Sequence, residues 1–529
     1  MIDQLRQGAY PHLRRLRRRL SATRMILVSS RSAPEGSYGR TTVDGLPVIA
    51  RTDPALRLPD HAAAVESRLR SLLDDHGIGY WRLPTRPRRR PTFGVRDRDR
   101  PEVLRLLNTL GPAWYAEPLR PSGAGTGRIG RPATGRSPAE VRGLALWECC
   151  ITGPGSTFGA GDDHRVELHF WREDGDGALI SLVHNEIIDR LTPADLGEPG
   201  AIPPALDGRP IHTVDFPIDL VYTWVDGTDP AWLASQAAAI GDSDPARLTE
   251  RSVDPARYAD HGELRYSLRS IEQYAPWVNH IWIVTSGQRP DWLRTDDPLI
   301  SVVSHADLWP DGDGLPTFNS HAIEACLHRI PGLAEHYLYL NDDMIIGRPV
   351  APELFFHPNG IGKFFRSRST LDLEPPAAGE VASTTAAKTA RRLLQERRRL
   401  TSFSKFFHTA VATRKSVITE LEAEFPEEFA ATRRARFRTT ADVAAAGSFY
   451  LNYAYAVGAA VPGPIRYEYI DPATPEGVGK LDRLARSRGV DSFCLNDGHT
   501  ADADPARTDE VIRQFLQRYL PVPGRFELP

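Results

Sequence analysis

Residues 218–227 read IDLVYTWVDG, and this stretch indicates the fold class of the chain. Its apolar, β-branched and aromatic side chains favour a buried strand, and Asp226-Gly227 favours a turn directly after it. Similar strands and two stretches of helical spacing follow. The strands are HIWIVTSG (280–287), LISVVSH (299–305) and HYLYLNDD (336–343), and the helices are at 263–277 and 319–330. We therefore predict an α/β fold with a mostly parallel sheet and helices on both faces.

Acidic residues from distant parts of the chain follow two of these strands. Asp226 comes directly after the first strand, and Asp342 and Asp343 end the last one. Because ligands of such sheets bind beyond the carboxyl ends of the strands, we expect these carboxylates to meet at one rim. Paired carboxylate oxygens suit Mg²⁺ or Mn²⁺ bridging a diphosphate. A plain surface turn is the alternative interpretation of an acidic pair.

Two other segments offer groups for binding a phosphate. Arg265 and Arg269 are four residues apart on a predicted helix, so one face presents both guanidinium groups. The alternative for them is surface ion pairing with neighbours such as Glu272. Asn319 or Ser320 would cap the next helix, whose N-terminus is a ready site for an anion.

Composition and charge limit the class of protein. The 529 residues suggest about two to four domains, and 41% hydrophobic with 25% charged residues is typical of a globular chain. A net charge of −3 gives no overall electrostatic case for nucleic-acid binding. Arginines cluster at 14–19 and 88–90, which indicates either solvated faces or contact with an anionic membrane or polymer.

Cysteine usage and hydropathy bear on the compartment. The four cysteines lack metal-ligand spacing, which indicates a reducing environment. No apolar run approaches the ~20 residues of a membrane-spanning helix. We expect a cytoplasmic protein, either soluble or peripheral to the inner face of the membrane.

The order of the segments carries more information than any one of them, because together it resembles the Stealth family. That family contains bacterial capsular polysaccharide hexose-1-phosphotransferases and is related to the catalytic domain of the animal N-acetylglucosamine-1-phosphotransferase. The resemblance rests, in chain order, on IDLVYTWVDGTDPAW (218–232), RYADHGELRYSLRSIEQYAPWVNHIWIVTSGQRPDWL (257–293), LPTFNSHAIEACLHRIPGLAEHYLYLNDD (315–343), His408 with FPEEFAATRRARFR (425–438), and FCLND (493–497).

The resemblance implies a nucleotide-sugar-transferase-like domain, Rossmann-like and GT-A-like. Matched to the family's segments, the catalytic residues are Glu324, Asp343, His408 and Arg438. With the groups predicted above, the substrate-binding set is Trp224, Asp226, Gly227, Arg265, Arg269, Asn319 and Ser320. The metal ligands are Asp342, Asp343, Asn496 and Asp497, holding Mg²⁺ or Mn²⁺.

The implied activity is transfer of a hexose-1-phosphate, with N-acetylhexosamine-1-phosphate favoured, from a UDP-sugar to a hydroxyl of a glycan or polysaccharide acceptor. UMP leaves, and His408 or Glu324 takes the acceptor proton. The alternatives are a glycosyltransferase that releases UDP and a non-catalytic protein that binds glycans or nucleotide-sugars. No nucleic-acid partner is expected, and a homo-oligomer stays open.

The sequence also predicts the domain organisation. Residues 1–40 form a basic arm, residues 41–215 an α+β accessory domain of unknown role, and residues 216–529 the phosphotransferase domain. Within the last, residues 370–400 are a mobile or helical excursion, residues 401–460 look helical, and a final helix is predicted near 506–519. In the accessory domain, we predict a helix at 61–77 and β-structure at 140–192. The loosely spaced His164, Glu167, His169 and His184 there are interpreted as ordinary side chains.

Overall fold

A computed structural model describes the chain from residue 38 onward. It omits 44–45, 54–55, 85–90, 127–129, 131–137, 154–155, 160–164, 186, 209–210, 244–252, 254, 311, 378, 497–503 and 529. The predictions made for residues 1–37, His164 and Asp497 lie outside the described residues. The chain divides into two compact units, Met1–Pro210 and Ile211–Pro529.

The first unit is built around a ten-stranded mixed sheet. Its elements are β1 Tyr38–Val43, β2 Leu46–Thr52, α1 Leu58–Asp75, β3 Tyr80–Leu83, β4 Thr92–Arg96, α2 Arg100–Leu107, β5 Trp114–Pro118, β6 Gly143–Gly153, β7 Ser156–Gly159, β8 Val166–Glu173, β9 Leu179–Ser181 and β10 Arg190–Leu191. The main path runs β1-β2-β6-β8-β4-β3. The helix and the β-rich stretch predicted here are confirmed, and the unit is of mixed α+β type.

The second unit contains a five-stranded sheet in the order β13-β12-β11-β14-β19. Its elements as far as β14 are β11 Ile218–Thr223, α3 Pro230–Gly241, α4 Glu263–Tyr274, β12 Ile281–Thr285, β13 Ile300–Ser304, α5 His305–Leu308, α6 Ser320–Glu324 and β14 His336–Asn341. The remainder are β15 Met344–Ile346, β16 Gly362–Phe364, β17 Arg366–Thr370, α7 Ala382–Arg398, β18 Ser404–Phe406, β19 Val411–Arg414, α8 Lys415–Glu424, α9 Pro426–Arg434, α10 Ser448–Ala456, β20 Ala460–Pro462, β21 Tyr467–Ile470, α11 Pro475–Ser487, β22 Ser492–Leu495 and α12 Pro505–Tyr519.

The five-stranded sheet confirms the predicted α/β class. Strands β11 to β14 run parallel, and only the edge strand β19 is antiparallel. Successive residues of β11 pack in two different hydrophobic cores. Leu220 packs with Leu264 of α4, whereas Val221 packs with Ala322 of α6. Since successive strand residues point to opposite faces, helices cover both sides of the sheet.

Two local predictions were wrong. The helix expected at 319–330 ends at Glu324, and only a short 3₁₀ turn, Leu327–Arg329, follows it. Ile330 precedes Pro331, which disfavours helical backbone there. The stretch 401–460 is not all helical, because β19 lies within it. Its Val411 and Thr413 are β-branched, and the strand completes the sheet by pairing with β14.

A half-buried carboxylate in this unit joins one imidazole and two guanidinium groups. Glu422 of α8 accepts hydrogen bonds from the three groups at 2.6–2.7 Å. Its partners are His328, Arg329 and Arg433. None of the helices in the described ranges is long and apolar enough to cross a membrane.

Candidate active site

The carboxyl ends of β11 and β14 form the rim of the site. The two strands are adjacent and parallel, with Thr223 opposite Asn341, so Asp226 and Asp342 both lie just beyond the same edge. The charge of Asp260 links these two carboxylates. Asp226 adds to the rise in the pKa of Asp260, and Asp260 adds to the rise in the pKa of Asp342. Burial is the main cause in both cases. The structure therefore brings the predicted acidic residues to one rim.

The turn after β11 is held tightly. The Asp226 carboxylate accepts hydrogen bonds from the Thr228 amide at 2.8 Å and from its hydroxyl at 2.6 Å. The Gly227 amide donates to the Tyr258 carbonyl at 3.0 Å. A Cβ at Gly227 would lie only 2.7 Å from Tyr258 Cβ, so this close approach requires glycine. Trp224 Nε1 donates to Asp260 at 3.2 Å, which ties the same two segments together.

Asp343 lies at the centre of a second group of side chains. Its Oδ2 accepts from the Cys494 thiol at 3.1 Å and from Asn496 Nδ2 at 3.3 Å, and lies 3.5 Å from His408 Nε2. Burial opposes charge on Asp343, yet these partners outweigh it and lower its pKa. Asp343 Oδ1 is buried without a hydrogen-bond partner among the described residues. One carboxylate oxygen is thus left available to a ligand.

His408 is the more accessible member of this group, with its side chain 39% exposed. Partial desolvation of the imidazole works against the charged form, but the Asp343 carboxylate outweighs that effect and raises the pKa of His408. Asn341 Nδ2 lies 3.5 Å from the same ring nitrogen, Nε2. Asp343 therefore orients the imidazole and stabilises its protonated form.

Glu324, Ser320 and Arg438 form a third group. Arg438 Nη2 donates to the Ser320 hydroxyl at 2.6 Å. Burial raises the pKa of Glu324, and the positive charges of Arg438 and His408 oppose that rise. Burial, together with the nearby charge of Arg257, lowers the pKa of Arg438 to about 10, so it is still a cation at neutral pH. The third group thus lies within electrostatic reach of His408.

Asn319 supports this group through the backbone. It caps α6 by accepting from the His321 amide at 3.1 Å, as predicted. Its own amide donates to Ala435 O at 3.0 Å and to Asp442 Oδ2 at 2.8 Å. Asn319 is fully buried. Its side chain therefore joins α6 to the segment that carries Arg438 and is not exposed to a substrate.

Arg265 and Arg269 do not lie where the predicted phosphate-binding pair would have to be. Arg269 donates to both carboxylate oxygens of Glu527 at 2.7 and 2.8 Å and to Leu520 O at 2.8 Å. Arg265 Nε lies 3.8 Å from Glu527, and its guanidinium stacks 4.9 Å from the Trp292 ring. The pair anchors the C-terminal segment, so we leave both out of the substrate site.

Four residues near the rim are absent from the set predicted from sequence. They are Asp260, Glu263, Asn341 and Cys494. Glu263 is 5% exposed, and burial raises its pKa to about 8. It also contributes to raising the pKa of Asp342. The only available signal was position, since Asn341 directly precedes Asp342 and Cys494 lies two residues before Asn496.

Oxygen ligands for a hard divalent cation are present at Asp343. Asp343, His408 and Cys494 have potential ligand atoms within 4.8 Å of one another. Burial raises the pKa of the Cys494 thiol well above its ordinary value, so it stays a donor to Asp343. The unpartnered Asp343 Oδ1 fits Mg²⁺ or Mn²⁺, with Asn496 next to it. Asp342 is adjacent, and Asp497 lies outside the described residues.

A second group of potential ligands, in the first unit, is His61, Glu148 and Cys150. Arg51 already supplies a cation there, with its guanidinium 3.3 Å from Glu148 and 3.6 Å from Cys150 Sγ. Since a metal ion would have to displace this guanidinium, the group is better explained as a buried ionic network.

Fold and site together define an α/β protein with carboxylates, a histidine and an arginine grouped at the carboxyl edge of its parallel strands. Four family descriptions match the chain. They are Stealth protein CR1, conserved region 1 (216–248), CR2, conserved region 2 (257–364), CR3, conserved region 3 (407–455), and CR4, conserved region 4 (482–529). The chain belongs to the Stealth family.

Curated relatives agree with this assignment. Two proteins of Streptomyces coelicolor named exopolysaccharide phosphotransferase are 37% and 36% identical to the chain. The alignments cover 86% and 88% of this chain and 80% and 90% of the relatives. The exopolysaccharide phosphotransferase CpsY of Mycobacterium tuberculosis is 38% identical over 70% of each chain.

Solved structures give a weaker likeness. The galactosyltransferase LgtC, in complex with donor and acceptor sugar analogues, matches 59% of this chain and 98% of its own at 12% identity and a TM-score of 0.30.

Proposed function

We propose that this chain is a sugar-1-phosphate transferase. It moves a hexose-1-phosphate, favoured as N-acetylhexosamine-1-phosphate, from a UDP-sugar to a hydroxyl of a glycan acceptor and releases UMP. The observation that supports this most is that Asp343, His408 and Arg438, from two separately matched regions, surround one rim with Asn496 from a third. The names of the curated relatives point to the same kind of reaction.

Charge at the rim suits a phosphoryl group. Arg438 and the Ser320 hydroxyl, 2.6 Å apart, form a donor pair that can bind phosphate oxygens. Asp343 Oδ1, with Asp342 and Asn496 beside it, would hold a divalent cation, whose charge would offset that of the diphosphate. Asp226 and Trp224 lie at the neighbouring strand end, where we place the nucleotide.

We assign proton transfer to His408 in preference to Glu324. His408 is more exposed and its Nε2 faces Asp343, which leaves Nδ1 to take the acceptor proton. The acceptor oxygen attacks the phosphorus that carries the sugar, and the phosphorus–oxygen bond to UMP breaks with its electron pair leaving on UMP. The sugar C1–O bond is not broken, so the anomeric configuration is retained. Glu324, buried beside Arg438, balances its charge.

The nucleotide product tests the proposal. The purified chain is incubated with Mg²⁺, a panel of UDP-sugars and an oligosaccharide acceptor, and the nucleotides are separated by chromatography. UMP formed only when acceptor is present supports the proposal. UDP as the product would identify a glycosyltransferase, and no nucleotide release with any donor would leave a binding protein.

A further inference from the structure

Residues 366–406 combine basic and apolar surface in one short part of the chain. They lie between two matched family regions, of which one ends at 364 and the next begins at 407. They contain nine basic and four acidic side chains, a net charge of +5 in a chain whose net charge is −3. Among the described residues, four of the ten exposed large apolar side chains also lie there. These four are Leu373 (80% exposed), Val381 (56%), Leu400 (43%) and Phe403 (45%).

Contacts between the chain after β17 and helix α7 bring several of these side chains together. The Leu371 amide donates to the Phe403 carbonyl at 2.8 Å, so Leu373 and Phe403 lie on neighbouring segments. Arg391 of α7 donates to the Asp372 carbonyl at 2.6 Å, and its guanidinium lies 5.7 Å from the Phe403 ring. We call Leu373, Arg391 and Phe403 the basic-apolar patch.

The loop that carries Leu373 is held against α7. Lys388 of α7 is buried and pairs with Asp372 at 2.7 Å and with Glu380, which lie at the two ends of the loop. The Glu374 amide donates to the Asp372 carboxylate at 2.9 Å. The loop therefore presents its leucine in a defined place, next to an exposed phenylalanine. Clustered apolar side chains at the surface indicate a face that a partner covers.

Arginines next to the patch keep their charge available to a partner. Arg366 and Arg368 of β17 and Arg399 after α7 are exposed, and they form no ion pair with the described residues. Arg399 also directly precedes the exposed Leu400. A partner that covers this face must therefore be negatively charged and must also accept apolar side chains.

We propose that the basic-apolar patch binds the surface of a membrane that contains anionic phospholipids. The arginines pair with the phosphate headgroups, and Leu373 and Phe403 enter the apolar boundary beneath them. Charge argues against other occupants from this chain. The arginine-rich residues 14–19 would be repelled by the patch, and so would the same patch on a second copy. An acidic polysaccharide would use the arginines but not an exposed leucine.

The patch also lies near the candidate active site. Phe403 precedes His408 by five residues, which span at most about 18 Å. An acceptor glycan held at the same membrane would therefore come close to the imidazole. Membrane binding is measured without turnover, so the inference does not depend on the proposed activity.

Vesicle co-sedimentation of the full chain tests the proposal. The vesicles are phosphatidylcholine alone, or phosphatidylcholine mixed with phosphatidylglycerol as the anionic lipid. We expect the chain to bind only the mixed vesicles. Binding should weaken steeply at about 1 M salt, where the Debye length falls to about 3 Å.

Two substitutions with matched controls separate the apolar contact from the charge. Leu373→Gln should weaken binding to mixed vesicles about 10-fold, whereas Leu528→Gln, at a 51% exposed leucine outside the segment, should leave it unchanged. Arg368→Gln should weaken binding about 5-fold, whereas Arg434→Gln, at an arginine paired with Asp313 at 3.0 Å, should leave it unchanged. All four substituted side chains are exposed, so each variant should melt at the temperature of the wild type.

Three results would overturn the proposal. The first is no binding to the mixed vesicles, or equal binding to both kinds of vesicle. The second is wild-type affinity of Leu373→Gln for the mixed vesicles, which would leave a purely electrostatic surface suited to an acidic polymer. The third is a wild-type dimer in sedimentation velocity that Leu373→Gln converts to a monomer, which would assign the patch to a second copy of the chain.

Discussion

Replacing Gly227 by alanine should inactivate the site, because the added methyl group displaces the segment that carries Tyr258. An ideal Cβ at this position lies 2.7 Å from Tyr258 Cβ and 2.8 Å from the Tyr258 carbonyl carbon, whereas ordinary contacts begin near 3.4 Å. The Tyr258 carbonyl oxygen lies closer still, so the segment that carries Tyr258 must shift by about 1 Å. That segment also carries Asp260, which binds Trp224 at 3.2 Å. The added methyl group thus displaces one side of the rim.

The expected magnitude follows from this displacement. A misplacement of about 1 Å can lower a catalysed rate by about 100-fold, and overpacking typically costs about 1–3 kcal/mol of unfolding free energy. We expect Gly227→Ala to stay folded, to melt at a lower temperature and to release nucleotide about 100-fold more slowly. The assay is nucleotide release from a UDP-sugar, with urea unfolding on the same preparations.

A matched glycine provides the control. Gly479 is an exposed residue inside α11, and no heavy atom of the described residues lies within 4 Å of the Cβ position. Gly479→Ala should keep the wild-type rate and gain about 0.5–1 kcal/mol of stability from helix propensity. The reasoning is refuted if Gly227→Ala keeps both the rate and the unfolding free energy of the wild type.

Two further predictions concern ionisable side chains. Asp343→Asn and His408→Ala should each stay folded and lose at least about 100-fold in transfer rate. Asp343→Asn removes the carboxylate that orients the imidazole, and His408→Ala removes the group that takes the proton. Circular dichroism checks the fold, and a wild-type rate in either variant would remove that residue from the mechanism. For Glu422, burial opposes charge, yet hydrogen bonds from His328, Arg329 and Arg433 lower its pKa from 4.5 to about 2. A depressed pKa contributes stability above pH 4.5 that is lost as the pH falls towards 2, worth about 3 kcal/mol. Urea unfolding of the wild type and Glu422→Gln should therefore differ at pH 7 and converge near pH 2, and a difference that does not depend on pH would contradict this.

The sequence predicts the sheet well because strands that are buried on both faces have a recognisable apolar sequence. Strands β11, β12, β13 and β14 are nearly continuous apolar runs, and such runs are what a parallel sheet covered by helices requires. The position of Asp226 and Asp342 at one rim then follows from the parallel direction of β11 and β14. Local pattern and strand direction were sufficient for this part of the site.

The other contacts depend on pairings that no local pattern reveals. Arg269 pairs with Glu527, which is 258 residues away. Helical spacing correctly predicted that Arg269 and Arg265 share one helix face, but it could not predict this partner. Asn319 has the sequence signature of a cap, yet its amide is used by Asp442, 123 residues away. Cys494 looks isolated in the sequence and lies beside Asp343 only because β22 pairs with β15.

The fate of the donor phosphorus tests the central claim most directly. A UDP-sugar labelled with ³²P in the phosphate next to the sugar is incubated with the chain and a glycan acceptor, and label is measured in the nucleotide and glycan fractions. If the chain transfers sugar-1-phosphate, the label moves to the glycan in step with the release of unlabelled UMP. Label that stays in UDP while the glycan gains unlabelled sugar would contradict the account.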